Sequence, residues 1–374
     1  MGPLSGLTIL EMAGLGPCPF AGQMFADLGA DVIVIDRSSG NDHSADVNRR
    51  GKRSIGIDLK SRRGRAIMLR LAGKADALIE GFRPGVMERL RLGPQDLAAA
   101  NPRLVYGRMT GWGQDGPLAQ RAGHDITYLA VTGALHAMGE RGHPPVPPLN
   151  LVADYGGGAM FLLAGVLAAL IARGQSGRGQ TVDAAMVDGA PAMMALVHSL
   201  LANGIWTRKR GDNLLDGAAP FYRCYRTRDS KFVAVGALEP QFFAILAEIT
   251  GIDPEYKSKQ MDKRGWPKMA RALAGAFLQR TRDEWAKTFE NTDGCVAPVL
   301  DFDEAAAFGH NCERSVFHQI GGVMQAAPAP RFSQSQCVLP RSGGKSGGDS
   351  EAVLLECEFS PNEIENLRAD GTLT

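Results

Sequence analysis

The chain has 374 residues, 44% of them hydrophobic and 22% charged, with a formal net charge of +1. That length accommodates two domains. The near-neutral balance argues against a nucleic-acid binder or an acidic tail and leaves room for a local anion site. Six scattered cysteines without a CxxC spacing argue against a structural zinc site and suit a reduced, intracellular protein. The N-terminal residues lack a signal-peptide pattern. The longest apolar run, 159–172, reads as too short for a bilayer, which needs roughly 20 residues. Neither a nucleic acid nor a membrane is therefore expected as a partner. A bacterial cytoplasm is the expected compartment, with an organelle left open.

In chain order, residues 7–10 predict a buried strand running into Gly14, Gly16 and Pro17. Helical spacing of Phe20, Met24, Phe25 and Leu28 predicts a helix closed by Gly29. Asp31–Asp36 and 54–57 read as the second and third strands. Ser61 caps a predicted helix that runs to Leu71 and stops at Gly73. Ala77–Glu80 and 104–106 are the fourth and fifth strands. Apolar strands alternating with helices predict a Rossmann-like parallel sheet covered on both faces.

In such sheets ligands bind beyond the carboxyl ends of the strands. The first strand is followed by Gly14-Leu15-Gly16-Pro17, which begins like a dinucleotide fingerprint but carries Pro19 at its last position. The second ends in Asp36-Arg37, the third in Asp58-Leu59-Lys60 and the fourth in Gly81-Phe82-Arg83. An acid such as Asp36 suits ribose hydroxyls there. The cations Arg37, Lys60 and Arg83 at one sheet edge suit a phosphate-rich ligand, with solvated surface charge as the alternative.

Pro144 to Pro148 form a stiff, extended stretch. Asp154 and Gly156-Gly157-Gly158 then lead into a long apolar helix ended by Arg173-Gly174. A further strand at 181–184 and a Met- and Ala-rich helix to about Ala202 follow; core packing is the expected role of those methionines. Residues 206–215 read as a linker. A hairpin over 221–225 and 232–235, then helices from Pro240, over 266–278 and over Arg282–Phe289, form a smaller α+β domain. Gly343-Gly344-Lys345-Ser346 lacks the first glycine of a P-loop, because position 339 is Leu, and reads as a flexible loop. Ser360-Pro361-Asn362-Glu363 is a capping box that starts the last helix. The expected organisation is a large α/β domain over 1–205, a linker at 206–221, a small domain over 222–320, and a return to the large domain over 321–374.

The stretch from Arg121 to Ala172 carries the chemistry. Removing a proton next to a carbonyl requires a base on the C–H bond and a group to hold the enolate oxygen. His124 is the natural candidate base, since the unperturbed imidazole of a histidine lies close to neutral, and Asp154 is a carboxylate at what reads as a loop-to-helix junction. Placed on opposite faces of one carbon, they could remove a proton from one side and return one to the other. The plainer alternatives are a structural histidine, a helix-capping Asp154 and a loop-closing Asp125.

Several segments carry a resemblance. They are 2–7, 27–32, Glu80-Gly81-Phe82-Arg83-Pro84-Gly85-Val86, Met109-Thr110-Gly111-Trp112-Gly113-Gln114, Gly123-His124-Asp125-Ile126, Pro147-Pro148-Leu149-Asn150-Leu151 and Leu214-Leu215-Asp216-Gly217. With these the chain resembles the α-methylacyl-CoA racemases of the class III (family III) CoA-transferase superfamily over nearly its whole length. The resemblance implies an α/β large domain built from both chain ends and a small domain between linkers. It implies an interlocked homodimer whose site lies between the large domain of one subunit and the small domain of the other. It implies interconversion of (R)- and (S)-2-methylacyl-CoA through an enolate, with His124 and Asp154 as the two bases and Glu239 as a supporting acid near His124. CoA is then part of the substrate, and neither a further cofactor nor a metal is expected. Contacts to CoA or substrate are implied for Arg37, Ile57, Asp58, Leu59, Lys60, Gly81, Phe82, Arg83, Arg89, Gly123, Asp125, Ile126, Thr127 and Tyr128. The pattern departs at Thr127, often Asn in relatives, and at Phe82, often Tyr. The rival reading is a CoA-transferase, in which Asp154 would be a nucleophile. Transferases of the superfamily usually carry an aromatic residue where His124 stands, so His124 favours the racemase. Cys295 is expected to pack rather than react.

Overall fold

Aliphatic and β-branched runs build one parallel sheet: β1 (Thr8–Met12), β2 (Asp31–Asp36), β3 (Arg53–Gly56), β4 (Ala77–Glu80), β5 (Val105–Thr110) and β6 (Thr181–Ala185). The computed structural model describes residues 1–37 and 39–374, and among these the strand order is β3-β2-β1-β4-β5-β6. Leu10, Val32, Val34, Ile55, Leu78 and Ile79 are fully buried, as expected where helices cover both faces. The order reverses between β1 and β4, which opens a crevice at their carboxyl ends. The turn at Gly14 to Gly16 and the turn at Gly81 to Arg83 follow these two strands.

Several bounds differ from the sequence reading. The first helix is Pro17–Asp27, because Pro17 occupies the first turn, where a missing N–H costs nothing. The Ser61 hydroxyl accepts from the Gly64 N–H as expected, but the helix Arg62–Lys74 runs through Gly73. β5 extends well past the expected 104–106.

The chain divides into two compact units: residues 1–132, 149–193 and 309–374, and residues 133–148 and 194–308. The division falls elsewhere than at a 206–221 linker, because that stretch is pinned within the second unit. Asn213 is buried, its Oδ1 accepts the Thr207 N–H, and Asp216 accepts the N–H groups of Gly211 and Asn213. In this unit β7 (Tyr222–Arg226) and β8 (Phe232–Gly236) form the expected hairpin, and β9 (Val296–Pro298) adds a third antiparallel strand. Phe221, Phe243, Trp266, Phe277 and Trp285 fill the core between this sheet and the helices Pro240–Thr250, Trp266–Phe277 and Arg282–Phe289.

In the first unit, Asp154 does not stand at a loop-to-helix junction. Leu151–Ala159 is a π-helix that continues directly into the α-helix Met160–Ser176. The joined helix has 26 residues and contains an 18-residue window of mean hydropathy 1.9, so by length and composition it is long and apolar enough to cross a membrane. The shorter run read from sequence is corrected accordingly. Leu162, Leu163, Val166 and Ala169 of this helix are buried. The glycines after Asp154 serve packing. A Cβ on Gly157 would lie 2.6 Å from the Ala190 nitrogen, and one on Gly189 would lie 1.9 Å from the Gly157 oxygen. The π-helix therefore meets the helix Met186–Met193 backbone to backbone. The Met- and Ala-rich helix is two helices, Met186–Met193 and Ala195–Ala202. Met186 is core as expected, whereas Met193 is exposed.

Residues 343–346 are likewise not a free loop. The Gly40 N–H donates to the Ser346 oxygen, the Ser346 N–H donates to the Asn41 oxygen, and Ser346 is buried.

Beneath the crevice lies a buried ion pair. Lys52 Nζ donates to Glu11 Oε2 at 2.5 Å and to the Pro19 oxygen at 2.8 Å. Burial pushes the Glu11 carboxyl up, and Lys52 opposes that shift. Lys52→Met would strand a buried carboxylate and should cost about 3–5 kcal/mol in urea unfolding. Adding Glu11→Leu should recover most of that loss. Gly189→Ala should cost about 1–3 kcal/mol in the same assay, because its methyl meets backbone rather than a movable side chain.

Candidate active site

His124 precedes the helix Asp125–Thr132, and its backbone is locked by one hydroxyl. Thr127 Oγ1 accepts the His124 N–H at 2.8 Å and donates to the His124 oxygen at 2.7 Å. The departure at Thr127 therefore falls on a residue that fixes the histidine turn. The Tyr128 ring seats this turn from behind. It packs edge-on against Trp112 at a 4.8 Å centroid distance. Cβ atoms on Gly111 and Gly123 would lie 2.0 and 2.4 Å from that ring, so both glycines are required for its close approach.

Asp154 lies in the first turns of the π-helix, partly buried. Gly16, in the turn after β1, has positive φ, and a Cβ there would lie 3.7 Å from Asp154 Oδ2. Next to Asp154, the Tyr155 ring stacks on Phe20 at 4.1 Å. Burial, then the charge of Asp125, push the Asp154 carboxyl above its ordinary range; Asn150 and His124 act in the opposite sense. Burial and Asp154 likewise raise the Tyr128 phenol, with Arg83 opposing. His124, Asp154, Tyr128 and Arg83 thus belong to one electrostatic neighbourhood in the first unit. His124, Tyr128, Gly81, Phe82, Arg83 and Gly123 line one cavity of about 240 Å³.

The other expected contact residues divide by environment. Arg37, Lys60, Arg83 and Arg89 are exposed, and Arg37, Lys60 and Arg83 follow the carboxyl ends of β2, β3 and β4. Among the described residues, no acidic side chain forms an ion pair with any of the four. Gly81, Ile126 and Thr127 are also exposed, and Leu59 and Phe82 are partly covered. Ile57 is fully buried and pairs with Leu373, and its N–H donates to the Asp36 oxygen, so it presents no surface to a ligand here. The Asp58 carboxylate accepts the Lys60 N–H. The Asp125 side chain is buried and accepts the N–H groups of Ala153 and Asp154. Asp36 is corrected in the same way. Its carboxylate is held by Arg49 at 2.9 and 2.6 Å and by Ser54 Oγ at 2.6 Å, which leaves it unsuited to ribose.

Glu239 stands in the second unit, exposed, at the start of the helix Pro240–Thr250. Its charge and burial raise the thiol of Cys295, which is itself exposed and has φ 52°. A larger cavity, about 1050 Å³, also lies in the second unit and is lined by Tyr222, Cys224, Trp266 and Cys295. His124 lines the smaller one.

Trp112, Arg121 and Ala122 in the cavity wall, and Glu80 beneath it, lie in segments the sequence singled out but were not named there as site residues. Glu80 is fully buried, and burial pushes its carboxyl up to about 7. Its Oε2 accepts the Phe82 N–H at 2.7 Å, and its Oε1 accepts from Arg108 Nε at 3.1 Å. An acid closing an otherwise apolar strand was the available signal.

The chain matches CoA-transferase family III over residues 4–343. It is 43% identical to the alpha-methylacyl-CoA racemase of Mus musculus over 371 residues, covering 98% of this chain and 96% of that one. Identity to the Homo sapiens protein of the same name is 41%, with the same coverage. Among solved structures, a CAIB/BAIF family protein from Brucella suis is 26% identical, with a TM-score of 0.80 over 95% of this chain and 99% of that one. Rv3272 from Mycobacterium tuberculosis is also 26% identical, with a TM-score of 0.78 over 94% and 99%. The parallel sheet with its crevice at β1 and β4, the ordered motif segments and these matches lead to one assignment: the chain belongs to CoA-transferase family III.

Proposed function

We propose that the protein is a racemase of 2-methylacyl-CoA thioesters that works by two-base proton transfer. The observation that carries the reading is that His124 and Asp154 lie in one unit, where the charge of His124 acts on the Asp154 carboxyl. The identity to two racemases over nearly the whole chain supports it. In this reading one base takes the α-proton, the C–H electron pair moves into the thioester carbonyl as an enolate, and the other base delivers a proton to the opposite face. The Asp125 and Ile126 N–H groups open the helix Asp125–Thr132, where first-turn donors lack intrahelical acceptors and the dipole favours negative charge. They are the proposed holders of the enolate oxygen. The unpaired Arg37, Lys60, Arg83 and Arg89 would take the phosphates of CoA, Arg being suited to bidentate contact.

A homodimer completes the proposal, with Glu239 of one copy supporting His124 of the other. The helix Ala195–Ala202 supports this. It is built of Ala, Leu and Val around one His and one Ser, yet has no buried residue, and Leu196 is 58% exposed. Such a helix is expected to be covered by a partner.

The test is deuterium wash-in. One enantiomer of a 2-methylacyl-CoA is incubated with the protein in D₂O, and the α-proton and chirality are followed together. Exchange with racemisation and without an added acyl acceptor is expected. His124→Ala should lose on the order of 10²-fold or more in exchange rate, and exchange near the wild-type rate would sink the assignment. CoA appearing on an added carboxylate, with the α-proton retained, would make Asp154 a nucleophile instead. The pH profile is also fixed in direction. Asp154 must be ionised to act as a base, so exchange should fall as pH drops through its titration, and that acid limb should lie above the ordinary aspartate value of 3.8.

A further inference from the structure

Asp125 sits one covalent step from His124 and one hydrogen bond from Asp154. Its side chain is 7% exposed. Its Oδ2 accepts the Ala153 N–H at 2.9 Å and the Asp154 N–H at 2.8 Å. Its Oδ1 is buried without a hydrogen-bond partner. These bonds join positions 28 and 29 residues apart in the chain, so they are not local turn chemistry. They satisfy two of the N–H groups that the first turn of a helix leaves open, and they place a negative charge where the helix dipole favours it.

We infer that Asp125 is a positioning residue, a buried strut that ties the turn bearing His124 to the first turn of the helix bearing Asp154 and so fixes the separation of the two bases. The inference rests on the racemase reading for its catalytic consequence. Two bases acting on opposite faces of one carbon tolerate little error, because displacement of a reacting group by about 1 Å can cost on the order of 10²-fold. The helix Leu151–Ser176 is continuous, so releasing its first turn would move Asp154 with it. The strut also acts through charge, since Asp125 adds to burial in disfavouring ionised Asp154. The other groups facing Asp154 are His124, Asn150 and the Tyr128 hydroxyl. The turn at Gly16 and the Ala190 and Met193 side of the helix Met186–Met193 face this segment without charge.

The test uses the full chain with Asp125→Ala and Asp125→Asn, with folding checked by circular dichroism. Hydrogen exchange of the 151–159 segment, read by mass spectrometry, should accelerate in Asp125→Ala. The Asp154 carboxyl, assigned by ¹³C NMR against Asp154→Asn, should titrate at lower pH in Asp125→Asn, which keeps an acceptor but removes the charge. In wash-in assays Asp125→Ala should lose on the order of 10²-fold in kcat with KM changed by no more than about twofold. Asp125→Asn should retain more activity and shift its acid limb to lower pH. Unchanged exchange in Asp125→Ala together with an unchanged Asp154 titration in Asp125→Asn would overturn the strut. If Asp125→Ala does not fold, the Asp125→Asn titration decides alone. Wild-type protein inert in wash-in would overturn the racemase reading only, because the exchange and carboxyl measurements use no substrate.

Discussion

The contact between Gly157 and Gly189 governs the geometry of the first unit's chemistry. With no side chain on either residue, the π-helix and the helix that follows β6 meet at backbone distance. Packing this close leaves the first turn of the 26-residue helix in one place. Asp154 then faces the turn after β1, and Tyr155 stacks on Phe20 of the first helix. A π-helical segment at such a position fits a wider tendency, since widened turns recur at functional sites and re-aim a side chain relative to the α-helix that follows.

Electrostatics at the sheet edge follows from how the acids are spent. Glu11 is paired with Lys52, Asp36 with Arg49 and Ser54, and Glu80 with Arg108, which also meets Glu88. Each carboxylate at the carboxyl end of β1, β2 or β4 is thus neutralised inside the protein. Arg37, Lys60, Arg83 and Arg89 are left to solvent. A chain whose formal net charge is only +1 can in this way present a cationic edge without a basic composition. The inner pairs are costly to desolvate and are weak evidence for stability, but removing one partner would be severe. What they secure is the shape of the turns, most directly at Phe82, whose N–H is held by Glu80.

Much of this was legible in the sequence. Strands buried on both faces announce themselves as unbroken aliphatic runs, and β2 and β4 were placed to the residue. The Ser61 and Ser360 caps were visible because side-chain capping is local chemistry. The packing role of the glycines after Asp154 was not visible because the backbone that Gly157 meets lies 32 and 33 residues downstream, at Gly189 and Ala190. Asp36 and Asp125 looked available for ligands because their partners, Arg49 and the 153–154 amides, are set by tertiary structure. The stretch 206–215 looked like a linker because its order comes from two side chains, Asn213 and Asp216, that bind backbone rather than from any periodic pattern.

The raised carboxyl of Asp154 bears on which chemistry the scaffold favours. For a nucleophilic carboxylate a raised pKa cuts both ways, since it lowers the ionised fraction while making the ionised form more nucleophilic. A two-base racemase does gain. Each direction of the reaction starts with one base protonated and the other not, so both arrangements of a single proton between carboxylate and imidazole must be populated. An ordinary aspartate beside a histidine would keep that proton on the imidazole and starve one direction. Raising the carboxyl above its ordinary value narrows the gap between the two arrangements, which is how matched acid and base strengths serve proton transfer. Partial burial and the nearby negative charge of Asp125 both act in that direction, while Asn150 and His124 act against it. Burial and the charge of Asp125 thus favour the protonated form of Asp154, in keeping with the proposed two-base reaction.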